Sequence, residues 1–248
     1  MSLRAVRSIW LRELKVHIRD RARVVSSISR SVLWLVIFGG GLGAARFAGL
    51  GVNYQEFLFP GVIAMSILFT SMHSGISVIW DKEFGFMKEI LVSPASRFDI
   101  MAGKVAGGST IAVVEGVIIL LLGPVIGAKL TAAKIFASVV IMFLMSLSLV
   151  SIGLIVSAVM RSFEGFQSIM TFIIMPMFFL SGAVFPLDKV PSWMTPLTIV
   201  DPLTYGVDAL RIILVGVGHH GMSTNVAVMI ATAVITVSAG TQAFKSGE

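Results

Sequence analysis

The sequence contains no cysteine and very little charge. Without cysteine the chain can form neither a disulfide nor a thiolate metal site. Charged residues make up 13% of the 248 positions, whereas soluble globular domains use about a quarter. Apolar residues make up 56%, and the mean hydropathy is +0.95. These proportions exclude an ordinary soluble domain and indicate an integral membrane protein.

Motifs for nucleotide binding, metal binding and catalysis are also missing. The run GGGLG at 39–43 lacks the Gly-Lys-Ser/Thr of a phosphate loop and lies in an apolar stretch, which favours close helix packing instead. His219 and His220 are adjacent, so on a helix they would point about 100° apart. No third metal ligand is evident near them, and no serine, histidine and acid pattern indicates a nucleophile. We therefore expect no catalytic residue, metal ligand or cofactor in this chain, which leaves a membrane-embedded enzyme without support.

Six apolar stretches are long enough to span a bilayer, which requires about 20 apolar residues. They lie at 29–48, 57–79, 105–128, 135–160, 168–186 and 223–244. Arg30 and Arg46 stand near the ends of the first stretch, where long side chains can reach the interface. The pattern predicts an all-α polytopic protein with a single transmembrane domain over 1–248.

The lysines and arginines predict the orientation of these spans. If the N-terminus is cytoplasmic, the inner segments hold 14 of the 19 basic residues and the outer segments hold five. This bias predicts that both termini lie in the cytoplasm. We expect the protein in the cytoplasmic (inner) membrane. The net charge of +6 could suggest nucleic acid, but eight basic residues lie in the first thirty positions, beside a span. We therefore expect membrane lipids, and no nucleic acid, as the partners of this charge.

The N-terminal segment 1–28 has the pattern of an interfacial amphipathic helix. Its apolar and basic residues fall on different sides: Leu3, Val6, Trp10, Leu14 and Ile18 on one, and Arg4, Arg12, Lys15 and Arg19 on another. Arg7 and His17 interrupt the apolar side. Two interpretations remain open, a general basic anchor and a helix with a specific docking role.

One acidic residue, Glu115, lies deep in a predicted span. It is about ten residues into the third span, hence roughly 15 Å from the inner end, and an ionisable group at that depth is a candidate functional residue. His73, roughly 9 Å deep in the second span, is its predicted partner. This pair either holds the bundle together or acts directly in transport. The second alternative would make the chain a proton-coupled transporter or channel.

Prolines interrupt the apolar character of 185–222. Pro186 removes a helical hydrogen bond, so the fifth span should end near Phe185. The segment then stays apolar while prolines recur, which predicts two short helices at the outer membrane face, beginning near Pro191 and Pro202. The alternative is an ordinary external loop folded onto the spans.

The segment WDKEFGFMKEILVSP, residues 80–94, places five charged residues between two spans. Phe84, Met87 and Leu91 occupy positions i, i+3 and i+7, which is the spacing of a helix that binds in a groove. The charges should keep the segment out of the bilayer, with Lys82 at the solvated rim of the docking face. Pro94 ends the predicted helix, and Ser96 with Asp99 forms a capping-box pattern for the third span.

Two parts of the sequence resemble a known family. The run Leu180-Ser181-Gly182, Phe185-Pro186 and Pro202-Leu203-x-Tyr205-x5-Arg211 resembles the signature of the type-2 ABC exporter permeases, the membrane subunits of drug, polysaccharide and glycan exporters. The turn Leu91-Val92-Ser93-Pro94 is similar to the end of their cytoplasmic loop. The resemblance covers essentially the whole chain. The short external loop 46–56 departs from relatives that carry an extra external domain.

The resemblance implies a permease that exports an amphiphilic, drug-like or glycan-type cargo. A separate cytoplasmic ABC ATPase subunit would bind ATP and Mg²⁺, and a second copy of the permease, or a close paralogue, would complete the assembly. The second and fifth spans would line the pathway. Residues 80–94, in the loop 80–104, would form the coupling helix that contacts the ATPase through Phe84, Met87, Glu89, Leu91 and Pro94. An external gate would contain Pro186, Pro202, Tyr205 and Arg211.

Overall fold

The computed structural model describes residues 2–42, 53–85, 96–160 and 162–246. Ten α-helices lie in these ranges: α1 Leu3–Arg19, α2 Arg21–Leu42, α3 Tyr54–His73, α4 Ile76–Glu83, α5 Arg97–Leu121, α6 Ala132–Val159, α7 Phe163–Leu180, α8 Thr195–Val200, α9 Pro202–Leu214 and α10 Met222–Ser246. Two 3-10 turns, Gly123–Ile126 and Leu187–Lys189, join neighbouring helices. The predicted all-α class is confirmed.

Six helical segments of the described chain are long and apolar enough to cross a membrane, as predicted. They are Arg21–Gly41, Tyr54–Glu83, Arg97–Ile126, Ala132–Val159, Phe163–Leu180 and Met222–Ala243. The first starts eight residues before the predicted position 29, and the third starts eight residues before 105. The third helix extends beyond its apolar stretch at the N-terminal side. Its first turns contain the charged residues Asp99 and Lys104, which have polar partners inside the protein.

The bundle has two chemically different ends. The end called here the basic end carries α1, α4 and the first turns of α5, and α1 packs along α5. The opposite end, called the proline-rich end, carries α8, α9 and the turn after α7. There α9 packs against α3, α6 and α10. Two of the polar groups described below lie at these ends, and a third surrounds Glu115 further inside the bundle.

Helix α3 forms the centre of the core, in contact with α2, α5, α6 and α9. Of its 20 residues, 15 are buried. Its closest approach is to the turn after α7, where a Cβ on Gly61 would lie 2.3 Å from the carbonyl oxygen of Ala183. A second close approach lies at Gly75, between α3 and α4, where a Cβ would lie 2.4 Å from the carbonyl oxygen of Gly153 on α6. Glycine is therefore required at both crossings for steric reasons.

Helix α7 ends at Leu180, earlier than the predicted end near Phe185. Gly182 adopts a φ of +74°, in the left-handed region that glycine enters at little cost, so the helix terminates there. Pro176 lies inside the same helix. The end of this span is therefore set by the turn at Gly182, before Pro186 is reached.

The proline-rich segment forms two short helices, as predicted, but one start was assigned wrongly. Pro202 occupies the first turn of α9, where its fixed φ suits a helix and its missing N–H costs nothing. Helix α8 begins at Thr195 with Pro196 in its first turn. Pro191 lies four residues before this helix. The prediction was wrong here because the spacing of the prolines does not identify which of them starts a helix.

The close approach at Gly61 predicts an intolerance of any side chain there. Gly61→Ala should lower stability by about 1–3 kcal/mol, because the new methyl group meets backbone that cannot rotate away. Gly40→Ala on α2 is the matched control, since a Cβ at Gly40 meets nothing within 4 Å. It should leave stability unchanged or raise it by up to about 1 kcal/mol. Thermal unfolding in detergent measures both, and equal melting temperatures would contradict the steric explanation.

Candidate functional site

Lys104 is the centre of a buried polar cluster at the basic end. Its side chain is 1% exposed. The ammonium Nζ lies 2.8 Å from Oδ2 of Asp81, 3.0 Å from Oε1 of Glu13 and 3.0 Å from Oγ of Ser77. These three acceptors match the three donors of an ammonium group. We call Arg12, Glu13, Ser77, Asp81 and Lys104 the Lys104 cluster.

Arg12 completes this cluster from α1. Its guanidinium donates to both carboxylate oxygens of Asp81, the bidentate geometry that gives arginine–carboxylate pairs their strength. Burial would lower the pKa of Arg12, but the hydrogen bond to Asp81 and the charge of that residue outweigh it and raise the pKa. Asp81 thus receives donors from both α1 and α5. The cluster joins α1, α4 and α5 through charged groups.

Helix α1 reaches the cluster because α5 presents glycine along the contact. A Cβ on Gly103 would lie 2.7 Å from Cβ of Ile9, and one on Gly107 would lie 2.7 Å from Cβ of Glu13. Small residues four positions apart allow two helices to approach closely. Trp10 Nε1 also donates to Thr110 Oγ1 at 3.1 Å. One edge of α1 is therefore docked on α5, while Leu3 and Ile18, from the predicted apolar stripe, remain exposed.

Helix α4 leads into the segment 80–94 that was predicted to be a coupling helix. The prediction that its charges are solvated is wrong for Asp81, which is buried, and for Lys82. The Lys82 ammonium donates to the carbonyl oxygens of Ser157 at 3.0 Å and Met160 at 3.4 Å. A cation at the carboxyl end of α6 satisfies carbonyl groups that have no helical partner. Both residues therefore attach α4 to the bundle.

The predicted ATPase-contacting residues are only partly within the described chain. Phe84 directly follows α4 and is 81% exposed. Met87, Glu89, Leu91 and Pro94 lie outside the described residues. The capping box predicted for Ser96 and Asp99 is confirmed, with each side chain bonded to the backbone of the other.

Glu115 has partners other than the predicted one. Thr70 on α3 donates its hydroxyl to Oε2 of Glu115, and Nε2 of His17 lies 3.3 Å from Oε1, an ion-pair distance. His73 instead lies with Nδ1 2.8 Å from the carbonyl oxygen of Phe69, one turn earlier in its own helix. The predicted His73–Glu115 pair is therefore wrong. The histidine that faces Glu115 is the one that interrupts the apolar side of α1.

A cavity of about 430 Å³ opens beside this pair, between α1, α2, α3 and α5. Glu115, His17, His73, Phe69 and Arg30 contribute to its walls. His73 and Glu115 thus share a cavity without touching each other. The mixture of charged and aromatic side chains makes this space chemically suited to a ligand with a polar head.

Arg211 at the proline-rich end is buried and contacts two other elements. Its guanidinium donates to the carbonyl oxygen of Gly182 at 2.7 Å, and its Cζ lies 3.9 Å from the centre of the Phe57 ring. Burial lowers the pKa of Arg211 to about 10, while the nearby charge of Asp208 opposes this shift. Arg211 therefore fastens α9 to the turn after α7 and to α3. Pro186 lines a small cavity of about 40 Å³ together with Arg211.

Asp208 is a structural residue at this end that the sequence analysis missed. It accepts hydrogen bonds from the backbone N–H groups of His219 at 2.7 Å and His220 at 2.9 Å, and from Nδ2 of Asn225 at 2.8 Å. These bonds hold the connection between α9 and α10. A carboxylate three residues before Arg211, in an otherwise apolar helix, was the available signal.

Tyr205 and Asp201 hold the two short helices together. The Tyr205 hydroxyl donates to the carbonyl oxygen of Ile199 in α8 at 2.9 Å. Asp201 caps α9 by accepting from the N–H of Leu203 at 2.9 Å, and burial raises the pKa of Asp201 to about 7. Pro202, Tyr205 and Arg211 all lie on α9, and the Tyr205 contact attaches α8 to that helix.

Comparisons with known proteins show similarity to membrane transport proteins. A family model described as ABC-2 type transporter matches residues 4–215. The chain is 27% identical to ycf38 of Cyanophora paradoxa, named a transport permease, over 82% of this chain and 72% of that protein. It is 28% identical to nodulation protein J of Rhizobium leguminosarum bv. viciae (79% and 76%) and 24% identical to the inner membrane transport permease YadH of Escherichia coli K12 (91% and 89%).

Loss of Lys104 should be costly because it removes a positive partner from the buried carboxylate of Asp81 and from the partly buried carboxylate of Glu13. Lys104→Met is expected to lower the free energy of unfolding by roughly 3–5 kcal/mol, as when one partner of a buried ion pair is removed. Lys129→Met is the control, because Lys129 is an exposed lysine, and it should change stability by less than about 0.5 kcal/mol. Similar melting temperatures for both variants would mean that the cluster contributes little to the fold.

The contacts of Glu115 predict which histidine is coupled to it. The effects of His17→Gln and Glu115→Gln on stability should be non-additive by about 0.5–3 kcal/mol, since the two side chains share one contact. The combination of His73→Ala with Glu115→Gln should be additive within about 0.5 kcal/mol. The measurement is a double-mutant cycle of thermal or denaturant unfolding. Coupling only in the His73 cycle would restore the pairing expected from sequence.

Proposed function

Because this chain belongs to the ABC-2 type transporter family, we propose that it is the permease subunit of an exporter driven by a separate ATPase chain. The chain is a multi-span membrane permease. Permeases of this family generally work with an ATPase subunit. The basic end would face the cytoplasm, with both termini there, and ATP and Mg²⁺ would bind to the partner chain. The cargo would be amphiphilic, of drug-like or glycan type.

The observation that carries the proposal is the attachment of α4. Asp81 connects α4 to α1 and α5, and Lys82 connects it to the end of α6. A force on the residues that follow Glu83 would therefore act on three other helices at once. A loop that only linked two spans would need no such attachment. This supports a role for 80–94 as the coupling segment.

The exposed side chain of Phe84 also supports the assignment of 80–94 as the coupling segment. An aromatic ring that is 81% exposed beside the attached helix is suited to enter a groove on a partner, as interface hot spots do. Met87 and Leu91 would complete this apolar face, with Glu89 at its edge and Pro94 at its end. The ATPase would then act on α4 through the Phe84 side chain.

The pathway would lie between two copies of the permease, as a homodimer. Helix α3 has little surface left to line this pathway, because most residues of the helix are buried within one chain. Helix α7 has an exposed face of Phe172, Met175 and Phe179, at positions i, i+3 and i+7. Met170 and Phe178, in contrast, are buried in the core. We therefore assign the cargo-contacting face to α7, with the unit formed by Tyr205 and Arg211 closing the outer side.

A second candidate function is supported by Glu115. A buried carboxylate beside a histidine and a cavity could carry a proton, which would make the chain a proton-coupled transporter or channel. The two functions differ in energy source. Co-expression with an ABC ATPase should yield a purified complex that hydrolyses ATP and transports cargo in liposomes only with ATP. Transport by the permease alone under a pH gradient would contradict the ABC assignment and favour Glu115.

The exposed ring of Phe84 predicts a hot spot for ATPase binding. Phe84→Ala should weaken binding by about 2 kcal/mol, which is more than a tenfold loss of affinity. Phe136→Ala is the matched control, because Phe136 is also strongly exposed but lies near the start of α6, at the opposite end. Binding is measured on detergent-purified permease at equal expression. Equal affinity of the two variants would place the ATPase elsewhere, with α1 as the next candidate.

The proposed orientation can be tested because the chain has no cysteine of its own. Asp188→Cys introduces a thiol at an exposed position of the proline-rich end, and Phe84→Cys introduces one at the basic end. A membrane-impermeant thiol reagent should label Asp188→Cys in intact cells and Phe84→Cys only after permeabilisation. The reverse pattern would invert the topology.

A further inference from the structure

Helix α2 has a polar stripe that the proposed transport function does not use. Arg23, Ser26, Ser27 and Arg30 occupy positions i, i+3, i+4 and i+7, and all four line the 430 Å³ cavity at the basic end. A membrane-spanning helix keeps ionisable groups only where they face protein, water or a ligand. The stripe therefore marks the cavity, rather than the lipid-facing side of α2, as the place where polar chemistry occurs.

Arg30 is the residue of this stripe without a hydrogen-bonding partner in the described chain. It lies nine residues into α2, roughly 14 Å from the start of the helix. Its guanidinium lies 4.4 Å from the centre of the Phe69 ring, and the described residues supply it with no acceptor and no ion pair. Arg23, in contrast, is paired with Asp20 at 3.5 Å. A half-buried guanidinium with free donors requires an acceptor from elsewhere.

The carboxylates around the cavity are already occupied by other groups. Glu13 binds Lys104, Asp20 binds Arg23, and Glu115 lies against Thr70 and His17. No described carboxylate lies at ion-pair distance from Arg30 or from Arg19, which also lines the cavity. The charge of Glu115 acts on Arg30 only from beyond that distance. The expected ligand is therefore an anion.

Part of the remaining wall is apolar. Val16, Ile76, Trp80, Ile111 and Phe69 line the same cavity, and its volume of about 430 Å³ lies within the usual range for ligand sites. A simple inorganic anion has no use for such a wall. The basic segment beside it is also of the kind that attracts anionic lipids.

We propose that this cavity binds an anionic phospholipid, with the phosphate-bearing headgroup on Arg30 and an acyl chain along the apolar wall. Arginine suits this role because its planar fork donates two parallel hydrogen bonds to a phosphate. The Phe69 ring lies 4.4 Å from the Arg30 guanidinium and offers it no hydrogen-bond acceptor, so its N–H groups remain available to the ligand. The bound lipid would fill the space between α1, α2 and α3 and so link the docked α1 to the transmembrane core.

The experiment measures lipid binding to the purified permease alone, without any ATPase. Dihexanoyl phosphatidylglycerol is titrated in detergent, and the rise of the melting temperature gives an apparent Kd. Dihexanoyl phosphatidylcholine and inorganic phosphate are titrated in parallel. Phosphatidylglycerol should stabilise the wild type saturably and more than either of them. Arg30→Gln should raise its apparent Kd about tenfold or more, since a charged hydrogen-bond donor is lost.

Arg4→Gln is the matched control, because Arg4 is an exposed arginine of the basic end that does not line the cavity. It should leave the apparent Kd unchanged. Equal affinity of Arg30→Gln and the wild type, or equal stabilisation by the two lipids, would overturn the proposal. Stabilisation by inorganic phosphate alone to the same extent would overturn the lipid and assign the cavity to a free anion. If Arg30→Gln does not fold, Arg30→Lys must bind more weakly, and wild-type affinity there would be equally decisive against it.

Discussion

The ion pair between Lys104 and Asp81 is the contact on which the basic end of this protein depends. An ammonium group inside a membrane protein is stable only if acceptors surround it, and here Asp81, Glu13 and Ser77 supply them from two other helices. Lys104 supplies one positive charge against the two carboxylates of Asp81 and Glu13, and Arg12 supplies the second. Because the partners come from two helices other than that of Lys104, the cost of burying charge becomes a restraint on how α1, α4 and α5 are arranged.

The same constraint explains the polar contacts elsewhere in the bundle. The Arg211 guanidinium is satisfied by the carbonyl oxygen of Gly182 and the ring of Phe57, and the Lys82 ammonium by the open carbonyl groups at the end of α6. In each case a charge joins two elements that sequence distance separates. Arg30 stands apart, since its ring contact supplies no hydrogen-bond acceptor. Because a cation inside the bundle needs hydrogen-bond acceptors, the same reasoning led us to propose a ligand at Arg30.

Local chemistry was predicted well from sequence where neighbouring residues decide it. The number of spans follows from apolar length, the start of α5 from the Ser96–Asp99 capping box, and the start of α9 from Pro202. The errors concern positions where a distant residue decides. The end of α7 is set at Gly182, where the turn packs against α3. The partner of Glu115 is His17, which lies almost one hundred positions away in the sequence.

Composition and periodicity by themselves determined that this chain is an all-α membrane protein with six spans, because burial in lipid requires long apolar helices whatever their arrangement. The basic character of one end was also visible there. Only the tertiary structure decided which charges meet. Hydropathy treats Asp81, Lys82, Lys104 and Arg30 alike as interruptions of apolar sequence. Their roles differ because helix packing pairs Lys104 with the Asp81 carboxylate, places carbonyl oxygens around Lys82 and places an aromatic ring beside Arg30. These contacts join residues that are far apart in the chain.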